Sequence, residues 1–140
     1  MPDTKPFLKL THEGALKLLH AAVKKAEEMN VPQCIAVVDD GGHLLAFLRM
    51  DGAKVLSIDS STRKAMTAAS SRVPTSGVSK ENELKLAHAT GGKLTNLKGG
   101  VPIIIDGHAV GAIGVGSGTG EEDLVVAKAA LKALEGTQEF

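Results

Sequence analysis

The stretch that decides the fold is VPIIIDGHAVGAIGV, residues 101–115. Two apolar runs flank Asp106-Gly107, a dipeptide that favours the two-residue type I′ turn, in which both central residues adopt positive φ. The stretch therefore predicts a β-hairpin, with Pro102 near a strand start or a sheet edge because proline has no N–H to donate. Hairpin strands pair antiparallel, which predicts an α+β fold and not a doubly wound parallel sheet.

A second hairpin is predicted nearer the N-terminus. The apolar runs 34–39 and 44–49 are separated by Asp40-Gly41-Gly42, whose glycines favour a turn. A helix is predicted before this hairpin over 11–29, with Thr11 as its N-cap. Its inward face repeats at helical spacing and comprises Ala15, Leu18, Leu19, Ala22, Ala26 and Met29.

The middle of the chain predicts a further helix over 54–71 with two distinct faces. Its inward residues are Ile58, Thr62, Ala65, Met66 and Ala69. Its opposite stripe places one lysine among small hydroxyls and comprises Ser57, Ser60, Lys64, Thr67 and Ser71. A short helix over 79–89 and a short edge strand over 94–98 follow. The last helix comes after the glycine-rich residues 116–120, and its inward face comprises Leu124, Ala127, Leu131 and Leu134.

The composition narrows the classes of function. The 140 residues amount to one domain, 1–140. With three Phe and no Trp or Tyr, the chain lacks the stacking platforms of single-stranded nucleic-acid binders. Sixteen basic and sixteen acidic residues cancel, so net charge attracts neither nucleic acid nor an anionic membrane. Without net self-repulsion, a homo-oligomer is expected.

The cysteine content and the N-terminus bear on location. Cys34 is the only cysteine and cannot form an internal disulfide, and at the start of a predicted buried strand it is expected to be inert. The first residues carry neither the apolar run nor the cleavage site of a signal peptide. No window approaches the ~18 consecutive apolar residues of a membrane helix. These features predict a cytoplasmic protein without a membrane span.

Two familiar motif classes are not matched. Gly114, Gly116, Gly118 and Gly120 alternate, which fits neither the dinucleotide fingerprint nor the P-loop. The acids at 121–123 would repel a phosphate, so the loop is interpreted as a structural turn with an acidic helix cap, solvated like most such caps. The five histidines show no metal-ligand spacing, and no metal site is predicted.

The informative candidates are cations beside glycines or hydroxyls. Arg49 ends the first hairpin, Lys64 lies among hydroxyls, Arg72 follows that helix, and Lys98-Gly99-Gly100 precedes the second hairpin. If these residues converge, their cations and backbone amides can bind a carboxylate. The alternative is a solvated helix face with scattered basic residues, although such a face is more often rich in Glu and Lys than in Ser and Thr.

Several motifs, taken in order, resemble one protein family. VVDDGGHL (37–44), RMDGA (49–53), RKAMTA (63–68), GGVPI (99–103) and VGAIGV (110–115) occur in this order in the GlcG/HbpS-like family, which also supplies the C-terminal domain of PduO-type proteins. The resemblance covers nearly the whole chain. Linked motifs in a fixed order are more specific than any one of them.

The resemblance implies an antiparallel sheet flanked by helices, a profilin-like sandwich that assembles as dimers or higher oligomers. Characterised members of the family bind haem, and some are described as degrading or sensing it. Carried over to this sequence, the resemblance places five residues around the ligand: Lys64, Thr67, Thr75, Gly99 and Gly100.

Three functions follow as hypotheses. The first is a haem-binding protein whose cations hold the propionates. The second is a cofactor-free enzyme for a small anionic metabolite, such as an aromatic ring-cleavage product, in which Arg49 or Arg72 holds a carboxylate and Lys64 is the acid/base group. The third is an oligomeric accessory protein whose glycine-rich loops mediate assembly.

Overall fold

A computed structural model describes residues 2–140 and confirms the α+β fold. The order of helices and hairpins also matches the sequence prediction. The elements are α1 His12–Met29, β1 Cys34–Asp39, β2 Leu44–Arg49, α2 Ser57–Ser71, α3 Lys80–Ala89, β3 Gly100–Ile105, β4 His108–Gly116 and α4 Gly120–Leu131. No helix among the described residues is long and apolar enough to cross a membrane.

The four strands form one antiparallel sheet in the order β2-β1-β4-β3. The turn between β3 and β4 is made by Asp106 and Gly107, whose φ angles of 50° and 76° confirm the type I′ prediction. Pro102 lies in β3, an edge strand, as its missing N–H requires. The two central strands, β1 and β4, belong to different hairpins and pair with each other. The two hairpins therefore form one continuous sheet.

Helices pack on both faces of the sheet, and the side chains beneath them differ in size between the two faces. Helices α1 and α4 pack on one face over large side chains such as Ile35, Val37 and Ile113. Helix α2 packs on the other face over smaller ones, including Ala36 and Ala112. Adjacent β1 residues therefore point into different layers, as the two-residue period of a strand dictates.

Glycines in the sheet allow α2 to approach it closely. A Cβ at Gly114 would lie 2.0 Å from the Ser61 carbonyl oxygen, and one at Gly100 would lie 2.4 Å from the Lys64 carbonyl oxygen. Backbone atoms cannot yield to such contacts, so only glycine fits. The close approach carries the Lys64 side chain into the interior of the protein.

The predicted inward face of α2 is correct for Ala65 and Ala69 and wrong for Ile58, which is exposed. Ser61 and Lys64 are buried instead. The reason is that glycine and alanine form the sheet surface beneath α2. The backbones are so close there that small helix residues occupy the points of closest contact. In α4, likewise, the helix ends at Leu131, and the predicted inward residue Leu134 lies beyond it, only half-buried.

The predicted strand over 94–98 is wrong, because these residues form no sheet hydrogen bonds. Side chains hold their backbone in place of a neighbouring strand. The Leu94 N–H donates to Thr90 Oγ1 at 2.9 Å, and the Thr95 N–H donates to Thr67 Oγ1 at 3.0 Å. The Asn96 side chain binds the backbone of Val78 through both its oxygen and its nitrogen. This segment, residues 93–98, runs alongside α2.

Candidate functional site

Two open cavities lie along α2, one near each end of the helix. The first, here the lysine pocket, has a volume of about 210 Å³ and is lined by Lys54, Ser57, Ser60, Lys64, Leu97, Lys98, Ser117, Gly118, Gly120 and Asp123. The second, here the hairpin cleft, has a volume of about 310 Å³ and is lined by Asp40, Gly41, Gly42, Met66, Thr67, Ser70, Thr90, Lys93 and Leu94. The segment 93–98 contributes to both.

A buried ion pair forms the floor of the lysine pocket. Lys64 Nζ donates to Asp123 Oδ2 and to the Val115 carbonyl oxygen, both at 2.8 Å. The other carboxylate oxygen of Asp123 accepts from the Gly118 N–H at 2.9 Å. Lys64 is 4% exposed and Asp123 is 2% exposed. Because each charge is satisfied by a partner in a region shielded from water, the pair fixes α2 against the start of α4.

The three acids that open α4 are all engaged. Thr119 and Glu122 form a reciprocal capping box at the helix N-terminus. Glu121 accepts a hydrogen bond from Lys98, and this bond together with the lysine charge lowers the pKa of Glu121 below its ordinary value. The expectation of a solvated acidic cap is therefore wrong for Asp123, which is buried on Lys64.

Gln33 is a fully buried amide beside this floor. Neither Nε2 nor Oε1 has a hydrogen-bond partner within the protein. A Cβ at Gly118 would lie 2.9 Å from Gln33 Nε2 and 2.9 Å from Asp123 Oδ1, so both groups pack closely against the backbone of Gly118. Buried polar groups are nearly always hydrogen-bonded, so an unpartnered pair of amide atoms next to a cavity is a functional signal.

Hydroxyls and cations form the walls of the lysine pocket. Three lysines line it against one aspartate. Lys64 is neutralised by Asp123, Lys98 pairs with Glu121 at the surface, and Lys54 is exposed. Ser117 Oγ accepts from the Lys54 N–H at 2.9 Å, which holds the glycine-rich loop against the start of α2. The pocket therefore offers a positive, hydroxyl-rich wall.

The hairpin cleft is bounded by the β1–β2 turn on one side and by residues 90–94 on the other. The Asp39 carboxylate shapes this turn, because its Oδ1 accepts from the Gly41 and His43 N–H groups at 2.9 and 3.0 Å. Partial burial raises the pKa of Asp39, but these two hydrogen bonds and the charges of His43 and Lys9 outweigh it, and the net pKa is lowered.

Two cationic side chains, a methionine and a histidine lie in or beside the hairpin cleft. Lys93 lines it, and the Arg63 guanidinium lies 3.6 Å from the Cβ position of Gly92. Met66 contributes a thioether side chain to the wall. The His43 imidazole, 83% exposed, folds over Gly41 at the rim, with Nδ1 2.9 Å from the Cβ position of that glycine.

The structure brings some of the sequence-predicted site residues together. Lys64 and Gly99 meet at the lysine pocket, where a Cβ at Gly99 would lie 3.0 Å from Lys64 Nζ. Thr67 lines the hairpin cleft, and its hydroxyl donates to the Arg63 carbonyl oxygen at 2.8 Å. Thr75 and Gly100 bind each other, since the Gly100 N–H donates to Thr75 Oγ1 at 2.9 Å and the Thr75 N–H donates back to the Gly100 carbonyl oxygen at 3.0 Å.

The two predicted arginines lie elsewhere. Arg49 is exposed at the end of β2, paired in register with Cys34. Arg72 is exposed at the C-cap of α2, with a left-handed φ of 63°. Neither lines the lysine pocket or the hairpin cleft.

Burial raises the pKa of the Cys34 thiol, and the positive charge of Arg49 offsets this increase only in part. Among residues 2–140, no cluster of three His, Cys, Asp or Glu side chains is placed to hold a metal ion.

The sequence analysis missed Asp123 and Gln33 beside the lysine pocket, and Met66, Lys93 and Arg63 in or beside the hairpin cleft. Asp123 lies on the buried stripe of α4 together with Val126, Ala127 and Ala130, at helical spacings of three, four and seven. An acid on an apolar stripe indicates burial and hence a buried partner. This spacing in the sequence therefore indicates that Asp123 is buried. Gln33, directly before an apolar strand, gave no comparable signal.

Comparison with known proteins gives consistent matches over nearly the whole chain. A family model described as haem degrading protein, HbpS-like, matches residues 10–132. Protein GlcG of Escherichia coli (strain K12) is 42% identical over 107 residues, which cover 76% of this chain and 80% of the relative.

Two solved structures extend the comparison to three dimensions. Protein ORFY of Klebsiella pneumoniae superimposes with a TM-score of 0.88 at 33% identity and covers 95% of both chains. The crystal structure of a PduOC–haem complex superimposes with a TM-score of 0.86 at 26% identity, covering 94% of this chain and 98% of that one. In that crystal structure, haem is bound to PduOC.

Proposed function

The chain belongs to the HbpS-like family, and from this premise we propose that it binds haem at the hairpin cleft. The observation that carries the proposal is the donor set around that cleft. It combines two side-chain types that bind haem iron with two cations suited to propionates. The PduOC–haem complex, whose chain is 26% identical to this one, supports haem as the ligand class.

The residues around the cleft fit haem by their chemistry. Histidine imidazole and methionine thioether are the axial ligands of cytochromes c. Met66 lines this cleft, and His43 directly follows the lining residue Gly42 in the chain, so these two side chains would hold the iron. Lys93 lines the cleft and Arg63 lies beside Gly92, next to Lys93 in the chain, so these two cations would bind the propionates. Thr67 holds the 93–98 segment in position through the Thr95 N–H. When bound, haem supplies iron-centred redox chemistry, and these side chains hold and orient it.

The size of the cleft sets how haem would bind. A volume of about 310 Å³ is at the lower end of the roughly 300–1,000 Å³ typical of pockets for drug-sized ligands, and a porphyrin is larger than such ligands. The cleft would therefore hold only part of the macrocycle, and the rest of the ring would need further protein surface to cover it.

Haemin titration of the purified protein tests the proposal. The expected result is a saturable shift of the Soret band. Lys93→Met removes one exposed propionate contact and is expected to weaken binding by roughly two- to tenfold. His43→Ala, at a mostly exposed side chain, is expected to change the Soret position or spin state. Lys54→Met is the matched control, because it removes an exposed lysine from the lysine pocket instead. A titration without saturation would overturn the proposal.

We further propose that the chain self-associates through α3. This helix has no buried residue, and Leu84 is 79% exposed. Leu84, Ala87, Leu94 and Leu97 line a mainly apolar groove between α3 and the 93–98 segment. Unpaired apolar surface of this kind favours protein–protein contact. Leu94 also lines the hairpin cleft, so a second copy on this face would cover the exposed part of the haem.

Light scattering after size-exclusion chromatography tests the assembly. The wild-type protein is expected to be an oligomer at micromolar concentration, and Leu84→Lys is expected to shift it toward the monomer. Leu16→Lys, at an exposed leucine of α1, is the matched control and should leave the mass unchanged. A wild-type monomer, or equal masses for all three proteins, would contradict assembly through α3.

A further inference from the structure

We propose that the lysine pocket binds a small carboxylate, at a site separate from the hairpin cleft and independent of haem. The ligand class follows from three properties of the pocket: its charge, the hydrogen-bond donors of its walls and its size. No residue lines both cavities, although the 93–98 segment contributes neighbouring residues to each.

The charge of the pocket favours an anion. Lys64 and Asp123 neutralise each other on the floor, at an Nζ–Oδ2 distance of 2.8 Å. Lys98 pairs with Glu121, which is solvent-exposed and can exchange its partner for a ligand at little cost. Lys54 has no ion-pair partner among residues 2–140. A carboxylate would therefore meet one free cation and one available cation at the mouth.

The walls supply hydrogen-bond donors for the same ligand. Ser57, Ser60 and Ser117 place hydroxyls around the cavity. Gly120 is the first residue of α4, and the first-turn N–H groups of a helix lack partners within the helix. Two lysines and several hydroxyls around one space match the two oxygens of a carboxylate.

The size and the neighbouring acids separate a carboxylate from larger or more highly charged anions. The volume of about 210 Å³ lies below the range typical of drug-sized ligands. Asp123 lines the pocket and Glu121 stands at its mouth, and both would repel a phosphate dianion more strongly than a singly charged group. We therefore expect a short-chain carboxylic acid, with inorganic phosphate binding less well.

The test is an NMR titration of the isotope-labelled protein with acetate, propionate and inorganic phosphate at constant ionic strength. Saturable shifts of the Ser57, Gly118 and Gly120 amides are expected with at least one carboxylate, with weaker or no saturation for phosphate. Lys54→Met is expected to weaken carboxylate binding at least threefold. Lys93→Met, the matched lysine of the hairpin cleft, should leave it unchanged. No saturation with either carboxylate, tighter binding of phosphate, or equal affinity of Lys54→Met and wild type would overturn the proposal.

A second variant tests the pocket wall at Gly118. Gly118→Ala places a Cβ 2.9 Å from Asp123 Oδ1, so the carboxylate on the pocket floor must shift, and the variant is expected to weaken carboxylate binding. The haemin titration of the same variant should match that of the wild type, which shows that the chain is folded and separates this site from the proposed haem site. Unchanged carboxylate affinity in a folded Gly118→Ala variant would contradict a ligand held against this wall.

Discussion

The lysine pocket and the hairpin cleft lie on the same helix but are built in opposite ways. The lysine pocket has a floor of two buried charged groups, Lys64 and Asp123, which are fixed by their ion pair. The hairpin cleft is bounded by a surface turn and a surface segment, and the side chains of Lys93 and His43 beside it are exposed. Substitutions in the first therefore change stability and binding together, whereas substitutions in the second change binding with little effect on folding.

The largest expected effect breaks the buried ion pair. Asp123→Ala leaves the Lys64 ammonium buried without its carboxylate, which typically costs about 3–5 kcal/mol. Asp40→Ala, at an exposed acid that lines the hairpin cleft, is the matched control and is expected to change stability by less than about 0.5 kcal/mol. Chemical denaturation measures both. A loss below about 1 kcal/mol for Asp123→Ala would remove the contrast between the two cavities.

The next effect concerns the feature that both cavities share, the close approach of α2 to the sheet. Gly114→Ala places a Cβ 2.0 Å from the Ser61 carbonyl oxygen, so α2 must shift, at an expected cost of about 1–3 kcal/mol or more. Both haem and carboxylate binding should weaken, because both cavities use α2 as a wall. Gly77→Ala is the control, since a Cβ there meets nothing within 4 Å. Binding at both sites unaffected by Gly114→Ala would show that the position of α2 does not define them.

The third substitution is expected to stabilise the protein, whereas most substitutions destabilise it. Gln33→Met replaces an unpartnered buried amide with an apolar side chain of similar length, which removes a desolvation cost of about 1–3 kcal/mol. The free energy of unfolding is therefore expected to rise. Gln138→Met, at an exposed glutamine, should leave it unchanged. A less stable Gln33→Met variant would mean that the amide is already satisfied in the free protein.

The sequence predicts the fold far better than it predicts the two cavities. Asp106-Gly107 and Thr11 act through neighbouring backbone, so their local pattern is sufficient for the turn and the N-cap. The segment 93–98 is held by side chains that are remote in sequence, such as Thr67. The strand prediction fails there because local propensity carries no information about such partners.

The same distinction applies to the candidate site. Lys64 could be singled out from its isolation among hydroxyls, but its partner Asp123 is 59 positions further along the chain. Arg49 and Arg72 are equally cationic, and only the topology decides that neither reaches the Lys64 side of α2. Charge composition thus identifies candidates, whereas tertiary packing decides which of them share a cavity.

The smallest expected effect concerns the turn that bounds the hairpin cleft. Because the net pKa of Asp39 is lowered in the folded state, its carboxylate contributes stability in full above its ordinary pKa of about 3.9. This contribution is lost as the pH falls through the lower folded-state value. The contribution is expected to be below about 1 kcal/mol, because the turn is at the surface.

The protection factors of the Gly41 and His43 amides, which are their exchange rates corrected for the intrinsic pH dependence, should therefore fall at acidic pH. Asp39→Asn is expected to accelerate exchange at the two turn amides at neutral pH, because a neutral acceptor binds them less strongly than a carboxylate does. An Asp39 carboxyl that titrates at or above its ordinary pKa by NMR would contradict this account. It would also mean that the hairpin turn, and with it the wall of the cleft, is held by its glycines alone.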